Sequence, residues 1–333
     1  MSIVERLTTL WNRVFAWADD LQRRHGVLGF PYAVIKKYGD DEGGRQAALI
    51  TYYGFLSIFP LLLLGVAVLS RVLVANPELR QRLVTAIVPP VLQPTVDHAL
   101  TALPDSTVPL LVGLVGLLFA GTGIAFSAYQ TLNNVAAVPR RLRPGFLSRY
   151  LRVFVMLATL MLGVLAIGAL TVATTSLPGW PALERVAAVL GSAVIVFAVL
   201  LLGAKLLLGR PAPFGALWPA ATLGAVTVTL VLSIGAPLLA RFVSSSGAVY
   251  GSFATVAGLF AVFYLISQAL VYAAEVGAVR YARLWPRALD QSRPTAADVR
   301  AQALLAREEE RMPVARIDLR VVTGDPTLAN GDL

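Results

Sequence analysis

Six long apolar runs dominate this sequence and leave few folds open to it. They lie near residues 46–74, 108–133, 150–174, 183–208, 214–242 and 250–279. Each reaches the roughly 20 residues that an α-helix needs to cross a hydrocarbon core about 30 Å thick. Inside such a core the backbone must satisfy its own N–H and C=O groups, so a span is either a helix or a strand of a closed barrel. Barrel strands are about 10 residues long and alternate in polarity; these runs are longer and apolar on most faces. The expected fold is therefore all-α, a polytopic integral membrane bundle of about six transmembrane helices. Composition agrees. Only 14% of the 333 residues are charged, against about 25% in soluble domains, and the mean hydropathy is +0.71.

A net charge of +9 would suggest nucleic acid as a partner in a soluble chain. Here the basic residues gather in alternate connections. Lys36, Lys37 and Arg45 precede the first run, and Arg140, Arg141, Arg143 and Arg149 separate the second from the third. Arg210 lies between the fourth and fifth, and Arg280, Arg283, Arg287 and Arg293 follow the sixth. The intervening connections are poorer in Lys and Arg. The positive-inside rule then places the N- and C-termini in the cytoplasm, and no nucleic acid is expected as a partner. An even number of spans agrees with that orientation.

The chain divides into a cytoplasmic amphipathic or interfacial segment (1–45), the membrane domain (46–280) and a polar cytoplasmic tail (281–333). The first segment does not read as a signal peptide, because Glu5, Arg6, Asn12 and Arg13 interrupt its apolar residues. Pro77, Pro89, Pro90, Pro94 and Pro104 mark 75–107 as an outer-face loop of short helices. The tail is expected to be mobile, with one helix near 295–310 that Thr295 can cap.

Polar groups inside spans are costly and mark candidate sites. Glu275 stands well within the sixth run and shares a broad helical face with Tyr264, Gln268 and Tyr272. In the second run Thr122, Tyr129, Gln130 and Asn133 make a similar stripe, and in the first Tyr53, Ser57 and Pro60 align. These eleven residues are the candidates for a substrate path. The competing reading is structural: hydrogen bonds between helices, and Glu275 paired with a nearby Arg or Lys. No enzyme activity, catalytic residue, metal site or cofactor is expected. There is no cysteine, and His25 and His98 fall on opposite sides of the predicted membrane. Asp40, Asp41 and Glu42, set among Gly39, Gly43 and Gly44, read as a solvated turn rather than a metal site.

The stretch Ala47-Ala48-Leu49-Ile50-Thr51-Tyr52-Tyr53-Gly54-Phe55-Leu56-Ser57-Ile58-Phe59-Pro60 resembles the opening of the YihY/BrkB membrane protein family. Asn133-Asn134 before Pro139-Arg140-Arg141, Tyr250-Gly251-Ser252-Phe253 and Ala274-Glu275 are similar to later signatures of that family, with Ala273-Ala274 in place of the usual Gly before the acid. The resemblance covers roughly 25–285. It implies a multi-pass protein of the bacterial cytoplasmic (inner) membrane, from a family formerly mislabelled ribonuclease BN and linked to envelope integrity. The leading functional reading is a transporter or exporter of an amphiphilic, lipid-like envelope component, with Glu275 responsive to protons or cations. A non-transporting scaffold for envelope partners is the alternative, and a membrane-tethered ribonuclease the least favoured. Membrane lipids are the expected partners, with a homo-oligomer or envelope proteins left open.

Overall fold

Long apolar sequence becomes helix here because lipid offers the backbone no hydrogen-bond partner. The structure, a computed structural model, describes residues 17, 19–24, 26–73, 85, 93, 108–175, 181–250, 252–290, 293–314 and 316–318. The expectations for residues 1–16, for His25 and His98, for most of the 75–107 loop and for the end of the tail lie outside the described residues. A helix α1 (Gly26–Asp40) precedes the long helices α2 (Gly43–Leu73), α3 (Val108–Val135), α4 (Phe146–Thr175), α5 (Pro181–Leu207), α6 (Phe214–Tyr250) and α7 (Ser252–Ala282). A short helix α8 (Ala296–Glu308) follows. Six of these, α2 to α7, contain segments long and apolar enough to cross a membrane. Each packs on its neighbour in sequence, and α7 returns to α2, so the six close into a ring.

Hydrophobicity does not hold such helices together, since lipid is as apolar as leucine; close backbone approach does. Gly113, Gly116, Ala120 and Gly123 line the face of α3 that meets α2. A Cβ on Gly113 would stand 3.0 Å from the Leu64 backbone nitrogen, and one on Gly116 3.0 Å from the Pro60 ring. A Cβ on Gly123 would overlap the Tyr53 ring.

Two boundaries differ from the sequence reading. Residues 243–249, expected as a loop, continue α6, and Pro219 and Pro237 both lie inside that helix. Relative to alanine, Ser244, Ser245 and Ser246 lower helix propensity by less than about 0.7 kcal/mol each and Gly247 by about 1 kcal/mol, too little to stop a long apolar helix. The tail differs too. Up to Glu310 it is docked on the bundle: Ala297, Ala301, Ala303, Glu308 and Glu310 are buried. Thr295 does cap α8, in a reciprocal capping box with Asp298.

α1, the turn at Arg140–Leu142, the ends of α5 and α7, and α8 all gather at one end of the bundle. Two helices stop there in the same way. The N–H of Val138 reaches back to the Asn133 carbonyl (2.9 Å), and that of Leu284 to Val279 (3.0 Å). Ala137 and Arg283 take the left-handed conformation in between, at φ 46° and 51°. These are Schellman stops made without glycine.

Gly113→Leu should cost roughly 1–3 kcal/mol of stability by forcing α2 and α3 apart. A lower melting temperature in detergent checks this, against Gly168→Leu, where nothing lies within 4 Å of the added Cβ.

Candidate functional site at the basic end of the bundle

The chemistry of this end begins with one buried cation. Lys36 and Lys37 stand four residues before Asp40 and Asp41, a spacing that brings each pair to one helical face. Lys37 points inward. Its Nζ bonds Asp41, donates to the Val135 carbonyl at 3.0 Å, and lies 3.0 Å from Glu275 Oε2. Glu275 is fully buried. Apart from the Lys37 ammonium, no donor among the described residues reaches either of its oxygens. One ammonium thus ties together α1, the α1–α2 turn, the end of α3 and α7. Burial opposes the charge on Lys37, but Glu275 and Asp41 outweigh it and hold its pKa above the ordinary lysine value. Burial pushes the Asp41 carboxyl above its usual range, although Lys37 pulls the other way.

The remaining polar stripe of α7 is covered by the next residue of α1. Tyr38 stacks on Tyr272 with centroids 4.1 Å apart and planes 7° from parallel. Its hydroxyl donates to Gln268 Oε1, and Gln268 donates in turn to Tyr264.

Beside this cluster lies a second one, built by the tail. Arg287, 1% exposed, donates to Asp298 Oδ1 at 2.7 Å and to Asp40 Oδ2 at 2.9 Å. Lys36 meets the same Asp298 oxygen at 3.0 Å and the Ala288 carbonyl at 2.9 Å. Burial alone would raise the Asp298 pKa. The N–H groups of Ala288 and Thr295, then Arg287 and Lys36, outweigh it and hold the carboxyl well below the usual carboxylate range. Further out, Arg140, Arg141 and Arg143 pair with Glu309, Glu310 and Glu308 at 2.7, 2.7 and 2.8 Å. The acidic run Asp40-Asp41-Glu42 is dispersed among three cations: Arg287, Lys37 and Arg45.

The path candidates do not come together around a cavity. Asn133 is buried and bridges helices: its Nδ2 donates to Tyr129 and Leu207 carbonyls at 2.7 and 2.9 Å, and its Oδ1 accepts from Gly209 N–H at 2.7 Å. Tyr129 is core, packed with Phe126, Val153 and Met156. Ser57 and Thr122 bond back to carbonyls of their own helices, at Gly54 (2.7 Å) and Phe119 (2.9 Å). Pro60 and Tyr53 fill the glycine face of α3, and Gln130 points out of the bundle. The structural alternative fits these residues, and the partner that the sequence left open for Glu275 is Lys37.

A cavity of about 440 Å³ does exist, within the range of about 300–1,000 Å³ usual for ligand sites. None of the eleven candidates lines it. Its wall is apolar, drawn mainly from α3, α5, α6 and α7, with residues such as Ala128, Leu200, Ala204, Leu270 and Ala274. Arg210, Tyr281 and Leu304 stand among the lining residues at the basic end. Arg210 is exposed, and no ion pair engages it among the described residues. Sequence reading missed this cavity because its wall is made of small and branched apolar side chains that resemble any packed helix. It also missed Lys37, Asp40, Arg287 and Asp298, for which the four-residue Lys/Asp spacing and the Thr295–Asp298 capping pattern were the available signals.

Comparison with known proteins gives the family. Residues 34–298 match the family described as Virulence factor BrkB. Inner membrane protein YhjD of Escherichia coli (strain K12) is 26% identical over 286 residues, covering 77% of this chain and 82% of its own length. An uncharacterized protein of Dickeya dadantii (strain 3937), Dda3937_02003, is 36% identical over 89 residues, 25% of this chain and 26% of its own. No solved structure matches.

Asp298→Ala should release the tail, since removing one partner of a buried pair costs about 3–5 kcal/mol. Limited proteolysis within 284–310 should accelerate. The pH dependence has a definite sign. The folded-state carboxyl titrates below its unfolded value of about 3.9, so its contribution is present above that pH and is lost as pH falls through the acid range. Hydrogen exchange of α8 as a function of pH checks this.

Proposed function

Because the chain belongs to the BrkB family and is a multi-pass protein of the inner membrane, we propose that it carries an amphiphilic, lipid-like component of the envelope, without enzymatic chemistry. The observation that supports this reading is the apolar cavity with an unengaged guanidinium, Arg210, at its basic end. An apolar wall suits an acyl chain, and a guanidinium suits a phosphate or carboxylate headgroup. In this reading the basic end faces the cytoplasm, in keeping with the positive-inside rule, and the carrier serves envelope integrity. The path runs through the cavity, and the polar stripes of α2, α3 and α7 hold its walls in place.

The test uses the full chain in liposomes and follows transfer of a fluorescent anionic phospholipid between leaflets. Wild type should exceed empty liposomes. Ala204→Phe, which intrudes into the cavity, should slow transfer by about tenfold, equivalent to about 1.4 kcal/mol on the barrier. Its melting temperature should stay near that of wild type. Arg210→Glu should slow the anionic probe more than a zwitterionic one. Transfer no faster than in empty liposomes would defeat the reading.

A further inference from the structure

The two buried charge clusters at the basic end differ in their balance. Arg287 and Lys36 face Asp40 and Asp298, two cations for two carboxylates. Lys37 alone faces both Asp41 and Glu275. Among the described residues, the other charged groups packed around the triad are already engaged. Asp40 on α1 belongs to Arg287, and Glu308 on α8 belongs to Arg143. Tyr38 and Tyr272 stack on one another, α2 contributes the amide of Gln46, bonded to the Asp41 carbonyl, and α3 contributes the Val135 carbonyl. The triad is thus left one negative charge in excess in a fully buried place. An unpaired buried charge costs several kcal/mol, and two adjacent carboxylates do not both stay ionised cheaply. The two carboxyls adjoin, and apart from Lys37 no donor among the described residues reaches either Glu275 oxygen. One proton resolves both problems, because it neutralises the excess charge and supplies the missing donor. A metal cation would compete with Lys37 for the same oxygens.

We propose that the space between α1, the α1–α2 turn and α7 is a proton-binding site, in which Asp41 and Glu275 hold one exchangeable proton between them beside the Lys37 ammonium. The proton comes from water at the basic end and returns there. When it leaves, the two carboxylates repel, and Lys37, which also bonds Val135 in the wall of the cavity, is drawn toward them. The site stands on charge and geometry alone, whether or not the cavity carries lipid.

Infrared spectroscopy of the purified full-length protein in nanodiscs tests the proposal. At neutral pH wild type should show a deuterium-sensitive C=O stretch of a protonated carboxyl, and raising the pH should remove it reversibly. Glu275→Gln should abolish it, and so should Asp41→Asn, because each leaves one carboxylate for one ammonium. Both replacements keep side-chain size, and the wild-type titration needs no variant. Absence of the band in wild type overturns the proposal. So does a band that survives Asp41→Asn, which would mark Glu275 as an isolated buried acid. Loss of the wild-type band together with a melting temperature raised by sodium over choline would mean a sodium ion balances the charge, and the proton site falls.

Discussion

The Lys37 ammonium is the interaction on which the basic end depends. It reaches a carboxylate on α7, a carboxylate in its own turn and a backbone carbonyl at the end of α3. Helices in lipid have no hydrophobic reason to associate at their ends. A buried ion pair supplies one there, because separating its members would strand a charge. The docking of α1 across the end of α7 follows from this contact and from the Tyr38–Tyr272 stack beside it. The tail then adds its own ion pairs to the surface that α1 creates.

This arrangement separates two roles that polar residues in a membrane can take. Asn133, Ser57 and Thr122 satisfy backbone carbonyls and fix helix ends and curvature. The lining of the cavity carries almost no polar side chain except near its basic end. Polarity builds the frame, and an apolar cleft lies between its helices. The two meet at α3 and α7, where Val135 touches both Lys37 and the cavity and Ala274 lines the cavity next to Glu275.

The membrane helices were legible in the sequence because apolar length is a property of each segment alone. Glu275 was legible as an exception, since a carboxylate within a run of this kind needs a partner. The identity of that partner was not, because Lys37 lies almost the whole bundle away along the chain. The docked tail was misread for the same reason. Arg287, Asp298 and the acidic residues 308–310 look solvated until Asp40, Lys36 and Arg140–Arg143 are brought opposite them. Local composition carries burial in lipid; it does not carry pairings between distant charges. The cavity lay beyond reach for a different reason, since an absence of atoms between helices leaves no pattern along any one of them.

The position of Glu275 on the last span bears on how the protein is made. Chains are synthesised from the N-terminus and their early parts begin to fold first. Lys37 therefore exists long before its partner in α7 is translated. Until then the carboxylate within its reach is Asp41, in its own turn. Insertion of α7 supplies the carboxylate, the Tyr272 face and the Gln268 acceptor in one step. The tail follows immediately and closes over them. The contacts that close the basic end thus join α1 to the last span and to the segment that follows it.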